Sequence, residues 1–161
     1  MRLGTGLERR RRTPGGIEMA AVVQLTAAQA GRQVARLGSV RPELAAAYGG
    51  ALRRWLADPL LRGLGRPIVT EGYRSAAAQD ELFTHGRTAP GPVVTYKRGG
   101  ESKHNALPSR ALDVAFLLAD GSVSWTEGLL TRFAGLVKGA DARVRWGGDW
   151  PRFKDWPHFE V

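Results

Sequence analysis

Two short stretches far apart in the chain carry residues fit for metal chemistry. Ser102-Lys103-His104 is followed by Ala111-Leu112-Asp113, and Asp155-Trp156-Pro157-His158 lies well downstream. His104, Asp113 and His158 supply two imidazoles and a carboxylate, a donor set that suits zinc. Three protein ligands leave a fourth position for water, as in catalytic rather than structural sites. Asp155, three residues before the last histidine, is a second carboxylate. Held beside a water on the metal, it can take the proton and later deliver it to a leaving amine. The pattern reads as a zinc hydrolase using one Zn2+ per chain.

These residues need elements to bring them together. His104 closes a Gly- and Pro-rich loop from His85 to Pro108, long enough to be functional. Asp113 falls on an apolar strand from Ala111 to Leu118, and His158 on a short strand to Val161. If these strands are neighbours in one sheet, Asp113 and His158 meet at one end of it and His104 joins from the loop. Asp155 needs a bend. Residues three apart on a flat strand face opposite ways, and Pro157 biases Trp156 toward extended backbone. A turn at Trp156-Pro157 must therefore bring Asp155 round.

The rest of the chain predicts an α+β protein. Thr26 caps a helix through Ala35, and Pro42 opens a helix to Asp58 with Leu44, Tyr48, Ala51, Leu52 and Trp55 on one face. Ile68-Val69-Thr70 reads as a strand, and Ser75 caps a helix to Thr84. Val93 to Tyr96 offers a further strand. Asp120-Gly121 marks a hairpin turn, Thr126 to Val137 a helix with Leu129, Leu130, Phe133, Leu136 and Val137 inward, and Arg143 to Trp146 another strand. The short connections favour antiparallel pairing.

Composition narrows the chemistry. The 161 residues contain no cysteine, which excludes thiol nucleophiles, thiolate ligands and disulfides. The net charge is +9. Five of the 24 basic and two of the 15 acidic residues precede Met19, which leaves the remainder at +6. A basic surface favours polyanionic partners, among them nucleic acid, anionic lipid and bacterial wall polymer. Residues 1–18 read as a basic, disordered tail that imitates a signal peptide, and residues 19–161 as a single domain whose motifs lie within 68–161. No apolar run is long enough for a membrane span.

Taken with Glu71-Gly72-Tyr73-Arg74-Ser75 and Trp146-Gly147-Gly148-Asp149-Trp150, the Ser-Lys-His, Ala-Leu-Asp and Asp-Trp-Pro-His-Phe-Glu stretches resemble the LAS-type zinc peptidases. This family includes D-alanyl-D-alanine carboxypeptidases and the L-alanyl-D-glutamate endopeptidases of bacteria and phage. The resemblance implies a small antiparallel sheet flanked by helices, the Hedgehog/D-Ala-D-Ala peptidase-like fold. It implies zinc on His104, Asp113 and His158, Asp155 as general base, and Arg74 binding substrate or stabilising an oxyanion. It also implies a monomer, synthesised in the bacterial cytoplasm and acting on peptidoglycan in the wall or periplasm, with no nucleic acid partner. The Trp-Gly-Gly-Asp-Trp run favours the phage endolysin branch and the L-alanyl-D-glutamate bond. The alternatives are a D-alanyl-D-alanine carboxypeptidase and a wall-binding module without catalysis. One departure stands out. Eight residues separate His104 from Asp113 where six are usual, with Ser109 in place of glycine, so a bulged loop is expected from Asn105 to Ser109.

Overall fold

The computed structural model describes residues 21–161. The basic, signal-like tail of residues 1–18 lies outside the described residues. Ten named helices and strands follow one another: α1 (Ala27–Gly38), α2 (Pro42–Ala57), α3 (Pro59–Arg62), β1 (Arg66–Glu71), α4 (Ala76–Thr84), β2 (Ala111–Leu117), β3 (Val123–Ser124), α5 (Glu127–Ala140), β4 (Arg145–Trp146) and β5 (His158–Glu160). Single 3-10 turns occupy Lys103–Asn105 and Gly147–Asp149. The strands form one antiparallel sheet in the order β1-β2-β5-β4, with β3 pairing the far end of β2. The α+β expectation holds.

Local chemistry sets the helix ends. Thr26 Oγ1 accepts from Gln29 N while Gln29 Oε1 accepts from Thr26 N, a reciprocal cap at the start of α1. Pro42 stands in the first turn of α2, and Ser75 Oγ accepts from Ala78 N to open α4.

Strand β2 separates the two faces of the sheet by its period of two. Leu112, Val114 and Phe116 join the core with Leu44, Tyr48 and Trp55 of α2 and Leu130, Phe133 and Val137 of α5. Phe133 lies at the centre of this core, with the rings of Tyr48, Trp55, Phe116 and Phe159 at 5.7 to 6.4 Å between centroids. The two polar tips in this region are satisfied: Tyr48 donates to Pro67 O at 2.9 Å and Trp55 Nε1 to Gly65 O at 2.8 Å. Leu52, Leu129 and Leu136, expected inside, are only partly buried at the core's margin. Asp113, on the opposite face of β2, is left free for chemistry.

One expectation about the long loop changes. No strand forms at Val93 to Tyr96. Side chains hold the segment instead: Arg87 donates to the Thr95 carbonyl, and Gln79 Nε2 donates to the Thr95 hydroxyl and to the carbonyl of Lys97 just beyond it. The segment that follows the 3-10 turn of Lys103–Asn105 is an irregular loop, as the longer spacing implied, and ends on a buried Ser109. Its hydroxyl oxygen accepts from Ala111 N, and its proton lies within reach of Ala111 O and Gly72 O. Serine at this position thus ties the longer connection to the start of β2.

Candidate metal centre

The β2–β5 ladder places Asp113 directly opposite His158. Cross-strand partners project from the same face with closely spaced Cβ atoms, so the two side chains meet without any loop rearrangement. His104 enters from its 3-10 turn, whose start is fixed by reciprocal bonds between Ser102 and Asn105. The three donor atoms form a nearly equilateral triangle. His104 Nε2 and His158 Nδ1 are 3.3 Å apart, His158 Nδ1 and Asp113 Oδ1 3.2 Å, and His104 Nε2 and Asp113 Oδ1 3.3 Å. Donors at about 2.0–2.1 Å from a shared tetrahedral ion stand about 3.3–3.4 Å from one another. The trio therefore has the size of one face of a zinc tetrahedron and could hold a metal ion.

The remaining nitrogen of each histidine is also held. His104 Nδ1 lies 2.7 Å from Gly72 O, so it carries the proton and donates, which leaves Nε2 with a lone pair toward the trio. His158 Nε2 lies 3.3 Å from Glu160 Oε2, which likewise aims Nδ1 inward. Asp149 takes no such supporting role and pairs with Lys138 at 2.7 Å. Glu160 was missed, although His158 and Glu160 stand two apart on a strand and so share a face.

Charge and burial act against each other here. Burial alone would raise the Asp113 carboxyl, but hydrogen bonds and charge from His104 and His158 outweigh it and hold the group well below the usual carboxylate range. Burial alone would lower His158, but its bonds to Asp113 and Glu160 and the charges of Asp113 and Asp155 push it up to about 9. Asp155 is raised, first by burial and then by the charge of Asp113. Glu160 is lowered, chiefly by its bond with His158.

The expected bend is present. Asp155 O accepts from His158 N at 3.1 Å, so Asp155 to His158 form a turn with Trp156-Pro157 at its centre. Asp155 N donates to Gly147 O at 3.1 Å. A Cβ at position 147 would collide with the Asp155 carbonyl oxygen, so glycine is required for this approach. Trp146 is buried, stacked against Phe159, and bonded through Nε1 to Trp156 O at 2.7 Å. Trp150 faces the His158 ring at 5.2 Å and lines the cleft.

A bulge between Val69 and Glu71 in β1 brings Glu71 opposite Asp113. Arg74 follows and is tightly engaged, with NH2 at 3.2 Å from Glu71 Oε2 and 3.7 Å from Asp113 Oδ2, and NH1 at 2.8 Å from Gln79 Oε1. Arg74 thus fixes the outer oxygen of Asp113 while the inner one faces the histidines. A cleft of about 620 Å³ opens beside the trio and is also lined by Arg74, Trp150 and Asp155. His85 does not line it.

The antiparallel sheet and the meeting of His104, Asp113 and His158 agree with what the resemblance to LAS-type zinc peptidases implied. No family model matches the chain. In sequence it is similar to the peptidoglycan L-alanyl-D-glutamate endopeptidase CwlK of Bacillus subtilis (strain 168), with 44% identity over 101 residues, 58% of this chain. The chain spans 59% of that relative's length. In structure it is similar to the L-Ala D-Glu endopeptidase ChiX of Serratia marcescens, with a TM-score of 0.63 and 29% identity over 91% of this chain and 95% of the other.

Proposed function

We propose that this chain is a zinc-dependent peptidase that cleaves peptidoglycan stem peptides at the L-alanyl-D-glutamate bond. The observation that carries this reading is the triangle of His104, Asp113 and His158 opening onto a cleft that also contains Asp155. The likeness to two endopeptidases of that specificity supports it.

His104 Nε2, Asp113 Oδ1 and His158 Nδ1 are the atoms that would hold zinc. When bound, zinc supplies a Lewis acid for the scissile carbonyl and lowers the pKa of water toward about 7. Asp155 serves as the general base. Its raised affinity for a proton moves it in the direction such a group needs, and its turn fixes it relative to His158. The proton it takes then passes to the departing D-glutamyl amine. Arg74 holds Asp113 in register and contributes a positive charge to the cleft wall, where negative charge builds on the carbonyl oxygen. The site of action would be the bacterial wall, reached after synthesis in the cytoplasm, with the chain working as a monomer.

The test is digestion of purified peptidoglycan followed by mass spectrometry of the fragments. New D-glutamyl amino termini are expected. Release of terminal D-alanine instead would make the chain a carboxypeptidase, and no cleavage by zinc-loaded protein would reduce it to a binding module. Asp155→Ala should retain zinc while cleavage falls by about 10²–10⁴-fold; unchanged turnover would remove Asp155 from its role.

A further inference from the structure

The cleft carries charges that the reaction above does not use. Its acidic residues are engaged or assigned: Asp113 with both histidines and Arg74, Glu160 with His158, and Glu101 with the Arg98 amide. Among its cations, Arg74 is committed to Glu71 and Asp113. Lys97 and Lys103 also line the cleft, and among the described residues neither has a carboxylate within 4 Å. The two lysines differ in setting: Lys97 is exposed, whereas Lys103 is half-buried. The backbone beneath Lys103 is stiff. It lies within the capped 3-10 turn, and its carbonyl accepts from Arg110 N at 3.0 Å. Lys103 also acts electrostatically on Glu160, which places its charge on the metal side of the cleft.

A half-buried lysine without an ion-pair partner, one residue from the proposed ligand His104, is poised for an anion that arrives with the substrate. A D-glutamyl residue within a peptide uses one carboxyl to continue the chain and keeps the other free. That free carboxylate must enter a cleft already holding Asp113, Asp155 and Glu160, and it needs a cation to meet it. We infer that Lys103 receives the free carboxylate of the D-glutamyl residue on the amine side of the cut bond, and so selects acidic stems over amidated ones. This rests on the peptidase reading and adds a specificity residue to it.

The experiment compares L-alanyl-γ-D-glutamyl-L-lysine with its twin in which the free glutamyl carboxyl is a carboxamide. Wild-type zinc protein is expected to favour the acid in kcat/KM by about tenfold or more, as for loss of a charge-assisted bond. Lys103→Met should raise KM for the acid by about tenfold, with kcat and the amide's KM within about twofold and zinc content unchanged. Lys103→Arg should restore the preference. Lys97→Met should have little effect, because exposed charges are screened. Equal cleavage of both peptides by the wild type, an equal loss on both in Lys103→Met, or transfer of the effect to Lys97→Met would overturn the assignment while leaving the peptidase reading intact. Cleavage of neither peptide would remove the peptidase reading, and this inference with it.

Discussion

At the scale of single residues, the centre depends on groups one step behind the donors. Glu160 orients the His158 ring, and losing such a partner typically weakens metal binding about 10–100-fold. Glu160→Leu is expected to show that loss by competition with a chromogenic chelator. Protonation gives a second handle. In the metal-free protein His158 is pushed up to about 9 from an ordinary 6.5. A group raised on folding stabilises the fold fully below its ordinary value and stops doing so as pH passes through the folded one. Metal-free protein should therefore lose thermal stability between about pH 6.5 and 9. Zinc must displace that proton, so zinc affinity should rise across the same window, with proton release measurable by calorimetry in buffers of different ionisation enthalpy. A flat profile in both measurements would contradict the charge balance described for His158.

At the scale of elements, the site depends on one ladder and one turn. The pairing of Asp113 with His158 could be anticipated because each stretch is short, apolar and bounded by glycine, proline or loop. The bend at Asp155 was legible from Pro157 for the steric reason already given. Other parts left no local trace. The Gly72 carbonyl meets His104 across 32 positions, and nothing in the spacing announces it. Val93-Val94 looks like strand because β-branched residues favour sheets, yet Gln79 and Arg87 satisfy the neighbouring backbone and no ladder forms. The need for glycine at 147 likewise shows only in three dimensions. Gly147→Ala is expected to displace Asp155, lowering kcat by about 10²-fold while zinc content stays near one per chain. Wild-type turnover in that variant would show that the turn relaxes without cost.

At the scale of the whole molecule, the sheet divides labour between its faces. One face packs on α2 and α5 through the aromatic group around Phe133, and the other carries the ionisable residues. Phe133→Ala should cost about 3–5 kcal/mol, read from denaturant unfolding, and should lower stability without altering the zinc affinity of the folded fraction. Metal contributes separately. A ligand bound only by the folded chain stabilises it by about 4 kcal/mol at a thousandfold excess over its Kd. Chelation should therefore lower Tm by several degrees, and added zinc should restore it. Among the described residues no helix is long and apolar enough to cross a membrane.

The turn from Asp155 to His158 makes the carboxylate proposed as proton acceptor and one imidazole near neighbours in the chain, tied by a backbone bond. Their separation is set like the marks on a short ruler, and breathing of the helices does not stretch it. On warming, the chemical step should keep a single activation energy up to the point where β5 peels away from β2. Activity would then end abruptly rather than fade.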